Sequence, residues 1–140
     1  MIADKYIYAA LTANAGVSAV VSNRVYPIVI PQDASYPAIA YSAMYTPAND
    51  TKTQGATHDN CEFVIRSWAS TYDAAAALDK LVRAALDYND GSGAGATAGG
   101  VTVDVCEWVS SKDGIAEQNS NAPGSVYFFR EAIYNIRERL

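Results

Sequence analysis

The sequence has one histidine, two cysteines and ten lysines and arginines in 140 residues. Each shortage excludes a class of function. A four-ligand zinc site needs more His and Cys than the chain carries. Sequence-independent nucleic-acid binding needs clustered Lys or Arg against the phosphates. Here the net charge is −5, and the basic residues are scattered apart from Arg137 and Arg139. No apolar run is long enough to span a bilayer. Met1-Ile2 is followed by Asp4 and Lys5, without the apolar stretch of a signal peptide. Neither nucleic acid nor a membrane is therefore expected as a partner. Without a secretory signal, the Asn49-Asp50-Thr51 sequon carries no weight. Cys61 and Cys106 are expected as free buried thiols in a cytosolically made chain, with a disulfide as the minor alternative.

Apolar residues make up 50% of the chain and charged ones 18%, a balance that supports a packed core rather than disorder. The length fits one domain, residues 1–140. Its clearest signal runs from Cys61 to Leu86. Cys61, Phe63 and Ile65 alternate with Glu62, Val64, Arg66 and Trp68, which predicts a strand with one face in the core. The period then changes. Ala75, Leu78, Leu81, Val82, Ala85 and Leu86 recur at helical spacing. Ser70 and Asp73 resemble a capping box, and Asn89 or Gly91 can close the helix.

Around this unit, residues 3–14 read as a helix, with one more helical turn at Val17–Val21. Ala38–Tyr45 reads as a strand, preceded by Tyr36-Pro37 in the expected trans form. Val101–Val109 alternates, and Ser125–Ile136 reads as a last strand, apolar on both sides. Residues 46–60 and 110–124 are polar loops, and Gly91–Gly100 is a flexible connector. The fold expected is α+β: a mostly antiparallel four-stranded sheet with helices packed on one face, in the order α-β-β-α-β-β.

Catalytic signals are weak. Gly91, Gly93 and Ala96 imitate a dinucleotide loop, but they follow a helix and precede a strand, the reverse of the required context. His58, Asp59 and Cys61 are the one nominal catalytic or metal-binding group, and a small core cysteine is the plainer reading of Cys61. The acidic residues form no spaced pair suited to acid–base work. Glu62 and Arg66 share a strand side and are expected to pair. No enzyme activity and no cofactor are expected. If Phe63, Ile65, Val103 and Val105 face the helices, then Val64, Arg66, Trp68, Asp104, Cys106 and Trp108 face away. Two tryptophans on an uncovered face predict a protein–protein contact, unless a polar loop folds over them.

With these residues in view, the chain resembles the tail-completion proteins (tail terminators, or tail-to-head joining proteins) of long-tailed bacteriophages and their prophage relatives. The likeness is an ordered series: Tyr6–Leu11, Val20-Val21, Arg24-Val25-Tyr26-Pro27, Tyr36–Tyr41, then Phe63–Leu86 with Tyr72–Ala76 opening the helix. The resemblance implies a structural virion protein, assembled in the bacterial host cytoplasm and placed where tail meets head. It implies a hexameric ring that caps the tail tube, ends its growth and joins the head connector or stopper. The expected partners are therefore other copies of itself, the tube protein and the connector. Combining this with exposure, subunit contact is expected at Val64, Arg66, Trp68, Asp104, Trp108 and Tyr134. Contact with tube or connector is expected at Asn49, Asp50, Lys52, Gln54 and His58. A different neck or head–tail adaptor protein, or a small ligand-binding domain using His58, Asp59 and Cys61, are the alternatives.

Overall fold

A computed structural model of the chain describes residues 3–31, 33–45, 55, 58–87, 96–117 and 126–139. Among them run α1 (Ala3–Ala13), α2 (Ala15–Val21), β1 (Val25–Pro27), β2 (Ala38–Tyr45), β3 (His58–Ala69), α3 (Tyr72–Leu86), β4 (Ala96–Ala98), β5 (Val101–Glu117) and β6 (Val126–Arg139). The α+β class holds, but the sheet is six-stranded rather than four-stranded, in the order β1-β2-β3-β6-β5-β4. The two additional strands are short edge pieces. β1 pairs in parallel with β2, and the other neighbours are antiparallel.

The strand-to-helix unit forms as its periodicity dictates. Along β3, Cys61, Phe63, Ile65, Ser67 and Ala69 are buried and their neighbours are less so. α3 turns Ala75, Leu78, Val82 and Leu86 to the sheet. Its cap is Thr71 rather than Ser70. The Thr71 hydroxyl accepts a hydrogen bond from the Ala74 N–H at 3.2 Å, which satisfies one of the open amides of the first turn. Asp87 ends the helix; Asn89 and Gly91 lie outside the described residues. Asn14 caps α2 by accepting from the Val17 N–H at 3.1 Å.

Three expected loops are partly strand. β3 already begins at His58, inside the loop expected at 46–60. β5 continues through residues 110–117, because eight consecutive register pairs from Ser110↔Ile133 to Glu117↔Val126 hold it against β6. Polar residues suit this stretch because it lies at the sheet margin, where both faces reach water. The connector expected at 91–100 ends in a hairpin, with Gly99 and Gly100 linking Ala98 to Val101. Both have positive φ, 60° and 78°, the conformation of a tight two-residue hairpin turn. A Cβ on Gly99 would also lie 2.7 Å from the Lys5 carbonyl oxygen of α1. Tyr36-Pro37 is cis, not trans.

The core lies between the helices and one sheet face. Tyr6, Ile7 and Leu11 of α1, Val17 and Val21 of α2, and Leu78, Val82 and Leu86 of α3 meet Ile39, Phe63, Ile65, Val103, Tyr134 and Ile136. The inward face of the last strand is now defined: Ala132, Tyr134 and Ile136 are buried. Cys61 and Cys106 are free and buried in the same core. Burial foremost, then nearby carboxylates, pushes both thiols up to about 12. The thiolate is the reactive form. At pH 8 neither cysteine should therefore react with a thiol reagent in the native protein, and both should react once the chain is unfolded. Mass spectrometry of the labelled protein checks this, and rapid native labelling would contradict the burial.

Candidate functional site

The sheet face turned away from the helices has no covering layer among the described residues. The pairing of β3 with β6 brings Val64 opposite Ile133, Arg66 opposite Glu131 and Trp68 opposite Phe129. Because side chains alternate along a strand, these pairs share the open face. Trp68 and Phe129 rings lie 4.6 Å apart, and the Arg66 guanidinium stands 5.6 Å from the Phe129 centroid. Farther along, Tyr36 stacks on Tyr127 at 4.3 Å. The result is a line of partly exposed aromatic rings with a cation beside it. Aromatic residues and arginine are the types that dominate contact energetics.

Gly114 makes this packing possible. It pairs with Phe129 across β5 and β6, and a Cβ there would fall 2.2 Å from Phe129 Cζ. The Phe129 ring occupies the space a side chain would need.

Next to the rings is a charge network. Glu131 accepts from Arg66 at 3.0 Å and pairs with Lys112 Nζ at 3.0 Å. The expected Glu62–Arg66 pair does not form. Residues four apart on a strand are separated by about 13 Å, whereas the antiparallel register sets Glu131 directly across from Arg66. Desolvation works to raise the Glu131 carboxyl, but the hydrogen bonds from Lys112 and Arg66 outweigh it and hold the group below its ordinary value of 4.5.

At the far end of the same face, His58 lies on β3 rather than in a loop. Its Nε2 is 2.6 Å from Asp104 Oδ2, and Arg139 also bonds to Asp104. Desolvation opposes these two partners, yet they keep the Asp104 carboxyl below its usual range. Between the two ends is a depression of about 540 Å³ lined by Asn60, Glu62, Val105, Glu107, Asn135 and Arg137 among others.

Val64, Arg66, Trp68 and Asp104 thus occupy the face where the alternation placed them. Trp108 and Tyr134 do not. β5 carries register shifts between Val103 and Val105 and between Trp108 and Ser110. A bulge of one residue moves every later side chain to the other face. Cys106 and Trp108 consequently turn toward the helices. Trp108 lies under Arg83 of α3, 3.8 Å from the guanidinium carbon to the ring centroid. Its indole N–H donates to Ser111 Oγ at 2.9 Å, and its backbone N–H donates to Asp87 at 3.0 Å. Tyr134 is 0% exposed, in the core. Asn49, Asp50, Lys52 and Gln54 lie outside the described residues.

The His58, Asp59 and Cys61 group is not assembled. Adjacent strand residues point to opposite faces, and Cys61 turns into the core while His58 turns to Asp104 on the open face. No group of three or more His, Cys, Asp or Glu side chains suited to a metal ion occurs among the described residues. Sequence reading missed Phe129, Tyr127, Tyr36, Glu131, Lys112 and Gly114. The last strand is apolar on both sides, so Phe128 and Phe129 have no sequence phase, and Lys112 and Gly114 resemble loop residues.

A family model described as tail completion protein gp17 matches residues 5–126. No curated protein matches the chain. Among solved structures, a chain of the virion of a native gene transfer agent particle is similar with a TM-score of 0.65 and 18% identity, over 96% of this chain and 92% of that one. At that identity the likeness concerns the fold.

Two outcomes follow from the open face. Gly114→Ala should push Phe129 off Trp68 and cost about 1–3 kcal/mol, the usual penalty of overpacking; chemical denaturation followed by Trp fluorescence reads it, and an unchanged midpoint and spectrum would refute the close fit. Because the Glu131 carboxyl titrates below 4.5 when folded, its contribution is present above that pH and is lost as pH falls through the folded value. Glu131→Gln should therefore lower stability by roughly 1 kcal/mol at pH 7. It should also remove part of the acid sensitivity below about pH 4.5. Parallel stability curves for the two proteins would contradict the network.

Proposed function

The chain belongs to the tail completion protein gp17 family, and from that premise we propose that it forms a ring, hexameric in the finished particle, that caps the tail tube. It is a structural tail protein of a phage-like virion. In this reading the ring ends growth of the tube and forms the joint to the head connector or stopper, after assembly in the host cytoplasm.

The observation that carries the reading is the sheet face that has no covering layer among the described residues. A monomeric domain that covers one face of its sheet with three helices and leaves aromatic rings on the other has a surface built for contact. Val64, Arg66, Trp68 and Asp104, extended by Phe129 and Tyr127, supply that contact. The ion pairs Arg66–Glu131–Lys112 and Arg139–Asp104, with His58 Nε2 hydrogen-bonded to Asp104, frame it with fixed charges, which select partner and register more than they add affinity. Trp108 and Tyr134 have no part in it, since one supports α3 and the other fills the core. The polar segment 46–57, with Asn49, Asp50, Lys52 and Gln54, supplies contact to tube or connector, and His58 belongs to the charged frame instead.

Light scattering over a concentration range, with and without purified tail tubes, tests the reading. The subunit is 14.9 kDa, and a species near six times that mass, alone or on tubes, is expected. Trp68→Asp places a charge in the aromatic patch and should weaken assembly roughly ten-fold or more, while circular dichroism shows the monomer still folded, at a thermal midpoint lowered by loss of the Phe129 contact. A protein that stays monomeric and does not bind tubes overturns the ring. A Trp68→Asp protein that assembles like wild type removes the open face from the contact.

A further inference from the structure

The sheet ends in two edges that its own strands pair only in part. On one side, β4 pairs with β5 at Val101, Thr102 and Val103 alone. Beyond Val103 the outer edge of β5 runs to Glu117 with no strand beside it among the described residues. On the other side, β1 pairs with Ile39, Ala40 and Tyr41 of β2 and then leaves the sheet. Ile28 donates to the Tyr41 carbonyl at 2.7 Å but takes a positive φ of 67°, and Val29 N–H bonds back to the Pro27 carbonyl at 2.7 Å. The outer edge of β2 from Ser42 to Tyr45 therefore has no strand neighbour among the described residues.

Exposed apolar side chains gather at these same two edges. Ile28, 75% exposed, and Val29 and Met44 stand at the β2 side; Val109 and Ile115, 67% exposed, stand on β5. Unpaired strand edges present rows of backbone N–H and C=O groups that another strand can join. The register shifts of β5 end before Ser110, and from Ser110 to Glu117 its pairing with β6 is regular. No register shift interrupts this stretch, so its outer edge can pair with a partner strand in regular register.

We propose that copies of this chain join edge to edge, with Ser110–Glu117 of one copy pairing with Ser42–Tyr45 of the next, so that one sheet continues across the joint. The proposal rests on the ring reading and adds a main-chain joint at the sheet edges to the side-chain contact of the open face. The occupant is a second copy because both halves of the contact are on one chain, at opposite ends of one sheet and unlike in sequence. That is the arrangement a heterologous contact needs in order to close into a ring. Pairing of β5 with β5 about a two-fold axis would leave Ile28, Val29 and Met44 uncovered. Backbone hydrogen bonds then supply attachment, and alternate side chains supply register. Successive twisted sheets turn steadily, and closing the ring removes both edges.

Hydrogen–deuterium exchange of the full-length protein, at dilution where it is monomeric and in the assembled form defined by light scattering, tests this. Peptides covering Ser110–Glu117 and Ser42–Tyr45 should both exchange roughly ten-fold more slowly on assembly, while those of α1 and α3 stay as they are. An assembled ring with both edges unchanged overturns edge pairing and leaves the ring standing. Protection at β5 alone overturns the β5–β2 joint in favour of two-fold pairing. Protection of the edges that requires tail tubes but no self-assembly assigns the edge to the tube protein and overturns a second copy as occupant. Failure to assemble under any of these conditions overturns the ring reading and the joint with it.

Discussion

The register of β3 against β6 is the constraint on which the rest depends. Phe63 faces Tyr134, Ile65 faces Ala132 and Cys61 faces Ile136, and all of them are buried. This layer gives α1, α2 and α3 a common apolar surface. Burial of one face fixes the register, because a slip of a single residue would carry the whole set to the other side. The same register fixes the open face without further instruction. Once Phe63 pairs with Tyr134, Val64 must meet Ile133, Arg66 must meet Glu131, and Trp68 must meet Phe129. The core and the open face are two readings of one pairing.

β5 shows how a sheet alters that relation locally. Its first bulge separates Val103, which faces the helices, from Val105, and returns Cys106 and Trp108 to the core side. Trp108 can then support Arg83 and bond Ser111 beneath α3. Its second bulge precedes a regular stretch whose Lys112 reaches Glu131 and whose Gly114 admits the Phe129 ring. Bulges near the margin of a sheet commonly re-aim side chains. Here they divide β5 into a part that closes the core and a part that builds the open face and its edge. A structural tail protein is suited to this division, since it needs a firm core on one side and a wide contact surface on the other.

Much of the fold was legible in particular residues. The alternation from Cys61 to Trp68 and the helical spacing from Ala75 to Leu86 gave β3 and α3 their identity and orientation, and so placed Val64, Arg66 and Trp68 on the open face. Other features were not legible. Val25–Pro27 and Ala96–Ala98 are too short to show a period, so the sheet has six strands where four were expected. Lys112, Asp113 and Gly114 have the composition of a loop, yet β6 holds them in a strand. Trp108 and Tyr134 turn inward, away from the contact expected of them, because a bulge leaves no mark in composition and a last strand apolar on both sides shows no phase.

The sequence by itself determined the α+β class, the central strand and helix, the free thiols and membership of a tail completion family. It could do so because each depends on local periodicity, on composition or on an ordered series of short segments. Only the tertiary structure decided which aromatic residues share the open face, which carboxylate Arg66 meets, and which sheet edges lack a strand neighbour among the described residues. Those outcomes depend on register and on bulges between strands far apart in the chain. The pairing energy that sets them is shared by residues of which no single segment contains both partners.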